Sequence, residues 1–219
     1  MKIFHTVWFC VVVKPGDIEV RLGKLFVDKI RHPEPESAQI IRACKTILHH
    51  QFSTETDDYD SDIALIELCS DAVFTDYVRP ICLPLRKEDE DKSLLKPGKD
   101  MVITGWGGKK EQGRTLKRMH QVTVPIVEQT LCKKAHRKYP VTSNMFCAGH
   151  HDGSLGDACQ GDSGGPLAID NSQTVSDDDQ RWVLAGIVSW GDGCGRIGKY
   201  GVYTKVSAFV RWIINNISD

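Results

Sequence analysis

Apolar residues in this chain fall into short runs, with glycine, proline and small polar residues between them. Runs of strand character are Ile18–Leu22, Gln39–His49, Asp62–Leu68, Met101–Gly105, Met119–Val127, Trp182–Trp190 and Gly201–Val206. Short strands at this spacing, punctuated by 19 glycines and 9 prolines, predict an all-β barrel or sandwich. The C-terminus breaks the pattern. There Phe209, Trp212, Ile213 and Ile217 recur at i, i+3, i+4 and i+8, which predicts a helix with Ser207 as its N-cap. Near the start, Val7–Val13 is rich in β-branched and aromatic residues and reads as a further strand. A signal peptide is the alternative for Met1–Val13, but no small-x-small site precedes Lys14-Pro15-Gly16. The mixed-charge stretch Arg86–Lys99 reads as a solvated linker, and Asn171–Gln180 as a polar loop tip. The linker divides residues 1–219 into an N-terminal part, about 1–98, and a C-terminal part, about 99–219.

Charge and cysteine usage narrow the class. With 28 basic and 29 acidic residues the formal net charge is -1, so no nucleic-acid partner is expected. No apolar run reaches the length of a membrane helix, so no membrane partner is expected either. Eight cysteines without a C-x-x-C pair point to disulfides, an oxidising compartment and secretion. Cys147 lies close to His150 and His151, yet no second ligand pair at a zinc spacing accompanies them. No metal and no cofactor are expected.

The most specific stretch is Asp157-Ala158-Cys159-Gln160-Gly161-Asp162-Ser163-Gly164-Gly165-Pro166. Glycines around a single serine let the backbone turn tightly and leave N–H groups accessible. An oxyanion hole requires such donors, aimed where charge develops on a carbonyl under attack. The serine then needs a base, and the base a carboxylate to orient it. Gly161-x-Ser163-x-Gly165 also fits the nucleophile elbow of α/β-hydrolases. That fold places its histidine after the serine, and no histidine follows Ser163.

Further blocks accompany the serine loop in order: Asp62-Ile63-Ala64-Leu65, Pro80-Ile81-Cys82-Leu83-Pro84, Thr104-Gly105-Trp106-Gly107, Met145-Phe146-Cys147-Ala148-Gly149, Ile187-Val188-Ser189-Trp190-Gly191 and Gly201-Val202-Tyr203-Thr204-Lys205-Val206. From about Cys10 onward the chain resembles chymotrypsin-like (trypsin-type) serine endopeptidases, and among them the modular coagulation and complement proteases. The resemblance implies two antiparallel six-stranded β-barrels, the first truncated here, followed by a C-terminal helix. It implies Ser163 as nucleophile, Asp62 as the orienting carboxylate, and the N–H groups of Gly161 and Ser163 as the oxyanion hole. Asp157 matches the floor of the specificity pocket, with Gly191 and Gly201 as its open walls, so cleavage after Arg or Lys is implied. Ser189, Trp190 and Gly191 match the edge that binds extended substrate. The implied disulfides are Cys132–Cys147 and Cys159–Cys194. Cys44 and Cys69 lie on strands in roughly opposing register, which suggests a third. Cys82 matches the cysteine that joins such domains to an upstream chain; protein substrates or inhibitors are the other implied partners. The cross-barrel bridge of digestive members is replaced by Met101 and Ile169. Where some members bind calcium through a glutamate, Lys24 stands, and an ammonium there disfavours the ion.

Two departures matter. The general-base histidine belongs to an Ala-Ala-His-Cys block, and here the block reads Val7-Trp8-Phe9-Cys10, with Phe9 at the histidine's place. His5 is four positions early, and His49 matches a position that is not catalytic. His32, His120, His136, His150 and His151 have no motif support. Asp162 is present, but nothing before Cys10 resembles the freed Ile-Val-Gly-Gly terminus whose amine pairs with that aspartate. The expectation is a chain that is inactive or severely impaired. Either its front has been exchanged, which the intact Asp62, Asp157, Gly161 and Ser163 favour, or it is a pseudoprotease acting as a binding protein.

Overall fold

The computed structural model describes residues 4–5, 14–27, 38–53, 58–84, 93–153, 156–170 and 182–217. Phe9, Cys10, His32, residues 86–92 of the Arg86–Lys99 stretch and the Asn171–Gln180 loop lie outside the described residues.

The first sheet contains β1 (Phe4–His5), β2 (Glu19–Leu22), β3 (Gln39–Leu48) and β4 (Ala64–Leu68), in the order β1-β4-β3-β2. All its pairings are antiparallel. Its core is Ile41, Ala43, Ile66, Leu68 and Ala72, with Ile18, Val20 and Leu22 packed against it. The β3–β4 ladder shifts register between Ala43 and Lys45, and the extra residue there is Cys44. It is bonded to Cys69, whose N–H donates to Arg42 in the same ladder.

The second sheet has six strands. They are β5 (Asp100–Gly105), β6 (His120–Pro125), β7 (Met145–Ala148), β8 (Pro166–Asp170), β9 (Trp182–Gly191) and β10 (Gly201–Lys205), in the order β6-β5-β8-β9-β10-β7. A bridge between Ile126 and Ala148 brings the ends of the two outer strands together, so the sheet curls toward closure. The architecture is mostly β, with a curled six-stranded sheet and a smaller partner sheet. Inside lie Met101, Ile103, Val124, Phe146, Leu167, Ile169 and Tyr203, all almost free of solvent. Met101 and Ile169 are both part of this apolar core. Each such side chain contributes on the order of 1.5–3 kcal/mol by leaving water.

Two helices complete the fold: α1 (Gln129–Ala135) and α2 (Val206–Ile217). Glu128 caps α1 by accepting from the N–H groups of Thr130 and Leu131. Helix α2 buries Val206, Phe209, Val210 and Ile213. It joins the two sheets, since Val206, Phe209 and Ile213 share a cluster with Ile63, Leu65, Leu184 and Ile187.

Several sequence expectations need correction. Ser207 does not cap α2: the helix already begins at Val206, and the buried Ser207 hydroxyl has no partner. Ile217 is 38% exposed and does not share the burial of Phe209 and Ile213. The stretch before Lys99 is not wholly solvated, for Leu94 enters the second core and Leu95 packs against it. Helix α1 and strands β7 and β8 are elements the apolar pattern did not announce, being short and bounded by motif residues.

Candidate active site

Asp62 is held in place before any chemistry is considered. It precedes β4 and is only 4% exposed. Its backbone arrives through a tight turn in which Ser61 takes φ 57°, a conformation non-glycine residues seldom adopt. Two strands of the second sheet grip it. From β9 the Ser189 hydroxyl donates to its Oδ2 at 2.5 Å, and from β10 the Thr204 hydroxyl donates to its carbonyl at 2.7 Å. Thr204 was not singled out from sequence, because only the tertiary fold brings β10 beneath the turn.

Ser163 lies in the loop between β7 and β8 and is exposed. Gly161 and Gly164 adopt φ of 99° and 76°, which turn the chain around it. A Cβ at Gly161 would sit 3.1 Å from Thr115 Cγ2 and 3.2 Å from Gly107 Cα, so the close approach of the neighbouring loop requires glycine. Beneath, the Asp162 carboxylate accepts from the N–H of Gly107 at 2.8 Å and of Cys159 at 3.1 Å. It lies so close to Gly105 and Gly107 that neither has room for a side chain. Among the described residues the N–H groups of Gly161 and Ser163 donate to no acceptor.

Ser163 opens onto a cavity of about 140 Å³ lined by Gln160, Ser189, Trp190, Gly191, Gly201 and Tyr203, among others. The Cys159–Cys194 disulfide braces its wall, and Cys132–Cys147 lies behind it in the core. Strand β8 pairs with β9 only as far as Ile187. Gly191 and Trp190 pair with Gly201 and Val202 of β10 on the other side. The outer edge of Ser189–Gly191 therefore faces the cleft.

Asp157 is not among the residues that line this cavity, although its chain neighbour Ala158 is. Its Oδ2 accepts from the N–H of Gly195 at 2.9 Å, while its Oδ1 is buried without a partner. Burial raises its pKa above the ordinary carboxylate value, against the opposing pull of the Gly195 and Ala158 amides. Asp157 instead borders a second cavity of about 240 Å³, with Gly105, Gly107, His120, Gly156 and Asp162. Tyr203, wholly buried, has its phenol pushed well up by desolvation first and by the charges of Asp157 and Asp162 second.

Several described histidine rings are engaged with other partners. His49 is buried with its ring edge-on to Phe209 and Trp212 of α2 and stacked on His50, and its Nδ1 accepts from Gln51 N–H at 3.3 Å. Burial and then His50 lower its pKa. His136 packs edge-on to Trp190, and burial lowers its pKa too. His151 bonds the Tyr200 hydroxyl, His150 the Thr123 carbonyl and His120 the Arg118 carbonyl. Cys147 is committed to its disulfide, and no metal-binding cluster occurs among the described residues.

Comparison with known proteins agrees with this geometry. The trypsin family model matches residues 7–213, so the chain belongs to the trypsin family of serine proteases. Among individual relatives, coagulation factor IX of Cavia porcellus is 38% identical over 212 residues, covering 96% of this chain and 68% of that protein.

Proposed function

We propose that the chain is an Arg/Lys-directed endopeptidase scaffold that recognises its substrate but turns it over poorly or not at all. The observation that carries this reading is the exposed Ser163 at the mouth of a cavity walled by Ser189–Gly191 and Gly201, with the buried Asp62 fixed beside it by Ser189. In this reading Ser163 Oγ is the nucleophile and the N–H groups of Gly161 and Ser163 receive the oxyanion. Asp157 attracts the guanidinium or ammonium of the residue before the cleaved bond, its unpartnered Oδ1 supplying an acceptor. Extended substrate lies along Ser189–Gly191.

The missing step is proton transfer. With Phe9 at the general base's place, nothing removes the Ser163 proton as attack proceeds, and loss of such a base costs on the order of 10⁶ in turnover. A cleft that binds without cutting is the second reading, a pseudoprotease that occupies substrates or inhibitors. Phe9 favours it, and one experiment tests whether the cleft recognises substrate and whether it cuts. The protein is treated with a fluorophosphonate, an Arg ester and benzamidine. Benzamidine binding with negligible labelling and ester turnover supports recognition without catalysis. Fast labelling of Ser163 with ester turnover makes it an active enzyme. Absence of benzamidine binding removes the pocket assignment.

The same reading assigns about 1–98 and about 99–219 to the two barrels of one protease domain, and secretion as its location. The three disulfides support an oxidising compartment. No helix among the described residues is long and apolar enough to cross a membrane. Cys82 is unpaired and partly exposed. Its backbone is clamped by hydrogen bonds with Trp182 and Leu184, which would suit it to a disulfide with an upstream chain.

A further inference from the structure

Helix α2 ends on a stretch without charge. From Trp212 to Ile217 the sequence reads Trp-Ile-Ile-Asn-Asn-Ile, and no basic residue stands in the last turn. The buried stripe of Val206, Phe209, Val210 and Ile213 has already run out, leaving Ile214 43% and Ile217 38% exposed. A helix C-terminus ordinarily favours lysine or arginine, which would also hydrate such side chains. Here the polar side chains of the last turn are Asn215, exposed, and Asn216, half-buried.

Asn216 also opens the triplet Asn216-Ile217-Ser218, whose serine lies outside the described residues. An asparagine with a hydroxyl residue two places on, and no proline between, is the pattern at which the secretory route attaches oligosaccharide. The chain has four asparagines. Two places after Asn144, Asn171 and Asn215 stand Phe146, Gln173 and Ile217, so the pattern occurs once. It falls on the surface, as such an acceptor must, with Arg211, Ile214, Asn215 and Ile217 exposed around it.

We infer that Asn216 is an N-glycosylation site. This rests on the secretory location proposed above. The donor is a polyprenyl-pyrophosphate-linked oligosaccharide. The bond from Asn216 Nδ2 to the sugar C1 forms as the C1–O bond to pyrophosphate breaks. One amide hydrogen leaves as a proton, and the lipid pyrophosphate departs. In the folded chain Nδ2 donates to the Trp212 carbonyl at 2.8 Å. A primary amide carries two hydrogens and the reaction takes one, so this bond survives the modification. The oligosaccharide then supplies, at this end of α2, the hydration that no charged side chain provides. An asparagine that only ties down the last turn makes the same bond to Trp212, but has no use for Ser218.

The test expresses the full chain behind a secretory leader in eukaryotic cells, then digests lysate and medium with a peptide:N-glycosidase. Oligosaccharide is added before folding is complete, so retained protein reports as well as secreted protein. Alkylation of free thiols shows whether the Cys132–Cys147 and Cys159–Cys194 bridges have formed, and so whether the chain reached an oxidising compartment. Digestion should remove the mass of one oligosaccharide from the parent and convert Asn216 to aspartate in its peptide. Asn216→Gln and Ser218→Ala should migrate with the digested parent, and Ser218→Thr with the undigested one. Ser218→Ala separates modification from a helix tie, since it leaves the Asn216 amide in place. Bridged protein with Asn216 unmodified overturns the inference, as does oligosaccharide persisting on Asn216→Gln or Ser218→Ala. Reduced, unmodified protein overturns the secretory location and the inference with it.

Discussion

The Ser189 hydroxyl donates a 2.5 Å hydrogen bond to the buried Asp62 carboxylate, joining residues 127 positions apart in the sequence. Asp62 follows the first sheet's last turn, and Ser189 lies on a central strand of the second. One hydrogen bond thus ties the two sheets at the point where the chemistry is proposed. Ser189→Ala leaves that carboxylate one donor short in a solvent-free place. Stability should fall by about 1.5–3 kcal/mol, read from the midpoint of urea unfolding. A loss below a few tenths would mean that the bond contributes little.

Asp157 carries a pH signature. Its pKa is raised above the ordinary 3.8, chiefly by burial. Between the ordinary and the raised value the folded state holds the proton more tightly than the unfolded state, so its contribution to stability falls as pH rises through that window. Asp157→Asn should remove this fall and be more stable than the parent above it, measured by unfolding across the acid range. In the parent, benzamidine affinity should rise with pH over the same window, since the amidinium pairs with the ionised carboxylate. A flat profile would contradict the assignment.

Gly105 has no room for a side chain because the Asp162 carboxylate occupies that space. Gly105→Ala should push Asp162 off the Gly107 and Cys159 amides and loosen the serine loop. The expected cost is about 1–3 kcal/mol, with a drop in benzamidine affinity. Gly16→Ala, at a position with open space around the added carbon, serves as the control.

The Cys44–Cys69 bridge closes a loop with sequence separation 25 at a ladder irregularity between exposed residues. Replacing both by alanine should lower stability by about 3 kcal/mol, mostly through the freed unfolded chain. Calorimetry of the double variant checks this, and an unchanged melting temperature would show that the ladder holds without the bridge.

Phe9→His restores an imidazole to the proposed base position. Fluorophosphonate labelling of Ser163 should then accelerate by orders of magnitude. An unchanged rate would place the block elsewhere in the serine loop.

The sequence by itself determined the class of fold, the serine loop and most strand positions. Those follow from local rules: apolar runs at strand length, glycines where the chain must turn, and motif blocks in a fixed order. It also singled out Ser163 by its glycine-rich loop, and Asp62, Gly191 and Gly201 through the family resemblance that the ordered motif blocks carry. Only the tertiary structure decided what touches them. Thr204 under the Asp62 turn, Gln160 bonded to the Gln112 amide, His49 against Phe209 and Trp212, and Leu94 in the core are contacts between distant segments. The orphaned Ser207 hydroxyl is of the same kind: a good cap in isolation, overruled when packing of Val206 and Phe209 between two sheets set where the helix begins. Local preference is worth tenths of a kcal/mol to about one, and burial of a core side chain several times that, so where the two compete the packing wins.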